Sequence, residues 1–222
     1  MVEPGDEPAE PGITPRLRRL DDPMVMRALA HPLRIQLLEL ISLHGPLTAT
    51  ECAERTGESP ASCSFHLRML AKYGFVEEAE GGTGRQRPWQ RTAVGHSWSA
   101  GPEQSESREA AAGLAQVIRS RTMTQLEDFL AHAGELAPAW LEASMQSGGT
   151  LWLTPDELAR MDQAIQALTA PFLSRFDRPE EIPAGAMPVQ VVVYGFPRRD
   201  LAADRPPTGE TSAASEGGDD DA

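Results

Sequence analysis

Apolar residues recur at helical spacing over several stretches of this chain, each bounded by residues suited to start or stop a helix. Leu33, Leu37, Leu40 and Ile41 form one stripe behind Pro32, whose missing N–H costs nothing at a helix start, and Gly45 ends it. Thr48 and Glu51 have the spacing of a capping box, Leu47 and Cys52 stand as the flanking hydrophobic staple, and Gly57 is the stop. Ser59 then caps a helix that starts at Pro60 and is closed by Gly74, just before Phe75 and Val76 open a strand.

The helix over residues 59–73 has two different sides. At about 100° per residue, Cys63, Leu67 and Leu70 share a packing stripe with His66 and Ala71 at its edges, while Ala61, Phe65, Arg68 and Lys72 fall opposite. Arg68 and Lys72 carry charges that suit phosphate or guanine. Ser59, Ser62 and Ser64 are small hydroxyls near the N-terminus that permit close approach, and the Phe65 ring suits a thymine methyl. Phe65 packing against a neighbouring element is the competing reading.

The hairpin expected over residues 75–92 has a tip, Gly81-Gly82-Thr83-Gly84, that tolerates positive φ, and Arg85, Arg87 and Arg91 follow on its return strand. Arginine at such a tip suits a narrow minor groove or flanking phosphates; the plainer alternative is a solvated loop. Two helices, a turn, a reading helix and a basic hairpin are the order of a winged helix-turn-helix, which places one helix in a DNA groove.

The runs ALAHPLRIQLLELI, LTATECAERTG and SPASCSFHLRMLAKYGFVEE resemble the ArsR-type (arsenic-repressor-like) winged-helix regulators of bacteria. Ser64, His66, Leu67 and Leu70, followed by Gly74 and an apolar pair, carry the most specific part, and the likeness spans roughly a third of the chain. The resemblance implies a dimer, repression and binding to imperfect palindromes. The chain departs from the metal-sensing members, whose first reader helix holds a close cysteine pair: Cys52 stands alone, and soft-metal sites need converging thiolates. Cys52 and Cys63 fit buried apolar positions, His66 fits a hydrogen-bonded core residue, and His31, His44, His96 and His132 show no ligand spacing. We therefore expect no metal and no cofactor.

Net charge is −13, which opposes DNA binding until it is divided along the chain. Residues 1–15 carry −4 and residues 200–222 carry −6, whereas residues 16–95 hold eleven bases against nine acids. Both tails are rich in Pro, Gly, Ser and acid, so disorder is expected there, either as solubilising tails or as competitors for the basic face. No apolar run approaches the roughly 20 residues of a membrane helix, and the acidic N-terminus is unlike a signal peptide, so a cytoplasmic protein without membrane contact is expected. A single lysine among the twenty bases resembles proteins of high-GC bacteria.

Beyond a linker at residues 96–102, a helix is expected over residues 103–133, with Leu114, Ile118, Leu126, Phe129, Leu130 and Ala133 as a broken stripe. It either pairs with its copy in a second subunit or packs within the chain. Residues 136–145 read as a short helix and residues 150–153 as a strand. Thr154 and Glu157 form a second capping box with Leu153 and Leu158 as staple, and Leu158, Met161, Ile165 and Leu168 are expected buried up to a kink or end at Pro171. Residues 188–196 read as a strand paired with residues 150–153. Trp140, Trp152, Phe172, Phe176 and Tyr194 then serve as core or, alternatively, line a pocket. No nucleophile motif or phosphate loop occurs, so no enzyme is expected.

The expected fold is mainly α with a small β component: a winged helix-turn-helix at residues 16–95 and a helical, two-stranded domain at residues 103–199 for dimerisation or a small-molecule effector. The expected partners are double-stranded DNA and a second copy of the chain, with two-fold symmetry setting reading helices about 34 Å apart. A winged-helix protein-interaction module that does not bind DNA specifically is the alternative.

Overall fold

The computed structural model describes residues 17–81, 87–93, 95–98, 105–176 and 178–201. The chain divides into two compact units, residues 1–188 and 189–222. The first contains β1 (Leu17–Leu20), α1 (Pro23–Leu29), α2 (Pro32–His44), α3 (Ala49–Thr56), α4 (Pro60–Lys72), β2 (Val76–Glu78), β3 (Trp89–Arg91), β4 (Gly95–Trp98), α5 (Ser105–His132), α6 (Pro138–Ala143) and α7 (Pro155–Leu173). The second, within its described residues, holds only the short turn Arg199–Leu201.

Local chemistry sets the boundaries of α2 to α4. Pro32 opens α2 behind His31, whose Nδ1 accepts from the Leu33 N–H at 3.2 Å. The Thr48 hydroxyl accepts from the Glu51 N–H at 3.2 Å while the Glu51 carboxylate accepts from the Thr48 N–H at 2.8 Å, closing the capping box on α3. Gly57 ends α3 in the left-handed region at φ 74°, where a side chain would be strained. Ser59 caps α4 by accepting from the Ser62 N–H at 3.1 Å.

A single buried cluster joins these helices. Leu37 and Ile41 of α2, Cys52 of α3, Cys63, Leu67 and Leu70 of α4, and Phe75 leading into β2 are all fully buried. Apolar side chains removed from water here contribute about 25 cal/mol per Å², enough to hold three short helices together. Leu114, on the first half of α5, is buried in the same cluster with Ala110 and Ala111. Ion pairs from Arg27 to Glu106 at 2.7 Å and from Arg121 to Glu39 at 2.5 Å also tie α5 to α1 and α2. The first half of this long helix therefore packs within the chain, whereas Met123, Leu126 and Leu130 further along are exposed.

β2 and β3 form an antiparallel hairpin, and Leu47 adds a bridge by exchanging backbone hydrogen bonds with Trp89 at 3.0 and 2.8 Å. β1 pairs in parallel with β4, Leu17 opposite Gly95. Neither of these strands, nor α1, was evident from hydrophobic spacing: β1 is four residues with two arginines, and its partner lies far along the chain. β4 takes in the first three residues of the expected linker at 96–102; the rest of it, the Gly82 to Gly84 part of the tip and Arg85 lie outside the described residues. The same holds for residues 1–15 and 202–222.

Beyond residue 136 the structure corrects several expectations. The capping box on α7 forms, with the Glu157 carboxylate accepting from the Thr154 N–H at 2.7 Å. The expected stripe is not buried: Leu158, Met161 and Ile165 are half-buried and Leu168 is 73% exposed. α7 continues through Pro171 to Leu173 before a 3-10 turn replaces it. The strands expected at residues 150–153 and 188–196 do not form, and Leu151, Trp152, Val189 and Val191 are exposed. Apolar β-branched composition favours a strand only where a neighbour accepts its backbone hydrogen bonds, and neither segment has such a ladder. The small two-stranded module is therefore absent among the described residues and the region is helical. Trp152, Phe172 and Tyr194 are exposed rather than core, and Phe176 lies under the Arg91 guanidinium at 5.2 Å.

Candidate nucleic-acid interface

α4 presents the two sides expected of it. Cys63, Leu67 and Leu70 are buried, while Ala61, Phe65, Arg68 and Lys72 are exposed along the opposite face, Phe65 by 53%. A phenyl ring left half in water on the same face as two cations is unusual in a packing helix and suits a surface that meets a ligand. Its edge lies against the His66 ring, with centroids 5.2 Å apart.

The polar groups of α4 are held by specific partners. The Arg68 guanidinium donates to the Ser64 hydroxyl at 2.8 Å, one turn back, which fixes its direction along the exposed face. Lys72 lies over the Tyr73 ring at 5.4 Å. Ser62 and Ser64 are half-buried, and the exposed Ser59 has its hydroxyl committed to the cap. The four-residue spacing makes Ser64 and Arg68 neighbours on the helix, but the contact itself was not read from the sequence.

Arg18 of β1 is a supporting residue that spacing did not reveal. Its guanidinium donates to the Tyr73 and Gly74 carbonyls at 2.8 and 2.6 Å and stacks on the Phe75 ring at 4.9 Å. These carbonyls end α4, so a cation there satisfies acceptors that the helix itself cannot and complements the negative end of its dipole. A Cβ added at Gly74, where φ is 71°, would stand 3.2 Å from this guanidinium. The Thr92 hydroxyl also donates to the Gly74 carbonyl, at 2.7 Å, joining the return strand to the same point.

On the hairpin, Arg87 is exposed and paired with Glu78 at 2.6 Å across the two strands. The carboxylate raises the pKa of Arg87 by its hydrogen bond and its charge. Arg91 does not share that outward face: it is half-buried with its ring contact to Phe176. Arg87 is thus the arginine the described part of the hairpin offers to solvent, partly neutralised by Glu78.

At the start of α4 the His31 and His66 rings stack 4.4 Å apart. Burial is the main reason both have lowered pKa values; the Arg34 charge lowers both further, and Glu58 opposes this. Both rings are therefore neutral packing elements at neutral pH, although His66 Nδ1 is buried without a hydrogen-bond partner rather than satisfied as expected. Cys52 and Cys63 are fully buried and unbridged, and burial pushes the Cys52 thiol up to about 11, away from the thiolate that metal binding requires. Among the described residues no three His, Cys, Asp or Glu side chains converge as a metal site. No helix among them is long and apolar enough to cross a membrane.

Three helices in one core, the third with a cationic outward face, and a hairpin after them define a helix-turn-helix domain with a wing. Residues 29–79, which span α2 to β2, match the family described as "Helix-turn-helix domain". A solved structure, "Crystal structure of RV1404 from Mycobacterium tuberculosis", is similar at 14% identity with a TM-score of 0.27, over 72% of this chain and 86% of that one. No curated protein matches the chain at a significant level. The helix-turn-helix domain supports a DNA-binding regulator.

Proposed function

We propose that the protein is a cytoplasmic, sequence-specific transcriptional repressor of the ArsR type without a metal site, acting as a dimer on double-stranded DNA. The observation that carries this reading is the exposed row of Ala61, Phe65, Arg68 and Lys72 on the second helix of a helix-turn-helix. In the major groove, Arg68 donates to guanine or phosphate, Phe65 meets a thymine methyl, Ser62 and Ser64 allow close approach, and Arg87 with Arg85 approaches the neighbouring backbone. Ser59 acts through the cap that orients the first turn.

Dimerisation is supported by α5. Its first half is occupied by the core of its own chain, and its second half leaves Met123, Leu126 and Leu130 exposed at helical spacing. A second copy of the same stripe would bury them across a two-fold axis.

Retention of genomic fragments by the full chain, measured by fluorescence polarisation across salt concentrations, tests the proposal. Saturable, sequence-dependent binding that Arg68→Ala weakens at particular base positions is the expected result. A chain that shows no sequence-dependent retention is instead a protein-interaction module, with Phe65 as its anchor.

A further inference from the structure

Away from the outward face of α4, a groove of about 350 Å³ opens between α1, α2 and the end of α4. Met24, Arg27 and Ala28 of α1, Arg34 of α2, and Met69 and Tyr73 of α4 line it. Its volume lies at the small end of the range for small-molecule sites, about the size that takes a bicyclic ring. Its walls are of two kinds. Two thioethers and a phenol ring form an adaptable apolar lining that favours aromatic rings. Two guanidinium groups supply positive charge, and the Lys72 ammonium lies over the Tyr73 ring at 5.4 Å.

The two arginines are not equivalent. Arg27 already donates to Glu106 at 2.7 Å, and both side chains are exposed. Arg34 Nε, by contrast, is buried and has no hydrogen-bond acceptor among the described residues. A guanidinium in the wall of such a groove is suited to a planar oxyanion, which meets its fork in two parallel hydrogen bonds.

We propose that this groove binds a small aromatic carboxylate, with the ring between Met24, Met69 and Tyr73 and the carboxylate on Arg34, Arg27 adding a second positive charge. Met69 and Tyr73 belong to the reading helix and its cap, so the occupied groove fixes the end of α4 against α1. In this second step the inference rests on the repressor reading, because it predicts that the ligand alters DNA affinity. The site differs from the effector region expected at residues 103–199.

Naphthoate and its neutral amide, naphthamide, are the probes, titrated into the full chain and followed by protein NMR chemical shifts. Naphthoate is expected to bind saturably and more tightly than naphthamide, shifting signals of Met24, Met69 and Tyr73. Arg34→Gln should weaken naphthoate by about tenfold while leaving naphthamide unchanged. Arg27→Gln, with Arg34 intact, should weaken it less and guards against a folding defect in the first variant; circular dichroism reports the fold of both. Equal affinity for acid and amide, no saturable binding of naphthoate, or unchanged binding in both folded variants would overturn the site. In a parallel polarisation assay, naphthoate should shift the DNA affinity of the unaltered chain and leave that of Arg34→Gln unshifted. A chain that binds naphthoate through Arg34 and retains no DNA refutes the repressor reading and the coupling while leaving the site standing.

Discussion

Phe65 and Leu67 are two positions apart on one helix and have opposite surroundings. Leu67 is fully buried between α4 and the other helices, so Leu67→Ala removes core contacts and leaves a cavity, at a cost of about 3 to 5 kcal/mol. Phe65 is 53% exposed, so truncation to Ala loses only about half of a phenyl's burial, about 1 kcal/mol. Alanine's better helix propensity returns about 0.5 kcal/mol, leaving a net cost near 0.5. Thermal denaturation should therefore show Leu67→Ala melting roughly 12 °C or more below the parent. Phe65→Ala should melt within a few degrees of it. DNA binding should reverse the order among folded molecules: losing one base contact costs about 1 to 3 kcal/mol, which is about 5- to 150-fold in Kd. Assayed well below both melting temperatures, Phe65→Ala should bind its site more weakly and Leu67→Ala close to normally. If Phe65→Ala melts alongside Leu67→Ala, the ring is packed and not presented. If it leaves both melting and DNA affinity unchanged, the reading surface lies elsewhere.

Other consequences concern the cap, the hairpin and the dimer. Thr48→Ala should cost about 1 kcal/mol by opening the capping box, read from urea denaturation. Hydrogen bonds from the Thr48 backbone N–H and, second, its hydroxyl hold the Glu51 carboxyl below its ordinary value of 4.5, so this contribution is complete above that pH and fades as pH falls through the lowered value; Thr48→Ala keeps the backbone N–H, so its acid titration should lack only the hydroxyl's share of the fall. Arg87→Ala should weaken binding to all DNA sequences and reduce the salt slope by about one ion. Glu78→Gln, which releases Arg87 from its partner, should tighten binding in the same assay, and weaker binding would refute the role of that pair. Leu130→Asp, on the exposed half of α5, should leave the helix-turn-helix folded and convert a dimer to a monomer in sedimentation; an unchanged mass would place the interface elsewhere.

The helix-turn-helix was legible in the sequence because its information is local. Thr48 with Glu51, Ser59 with Pro60, and Gly57 and Gly74 mark helix ends through contacts within a few residues. The spacing of Cys63, Leu67 and Leu70 sorts one helix into two faces without any knowledge of its neighbours. The outward quartet follows from the same arithmetic. Where a partner lies far along the chain, composition was silent or misleading. Arg18 closes the end of α4 from 55 residues away, Glu78 meets Arg87 only once the hairpin register is set, and His31 finds His66 across two helices. The Val-rich run at residues 188–196 reads as a strand by composition and remains without a ladder.

The sequence by itself therefore determined the longer helices, though not α1, where α2 to α4 begin and end, and which side of α4 faces outward. Only the tertiary structure decided that half of α5 belongs to the core, that Arg91 is withdrawn from the face Arg87 keeps, and that Met24, Arg34 and Tyr73 share one groove. Capping and amphipathicity act over a turn of helix, whereas burial and charge pairing depend on which surfaces meet after the chain has folded back on itself.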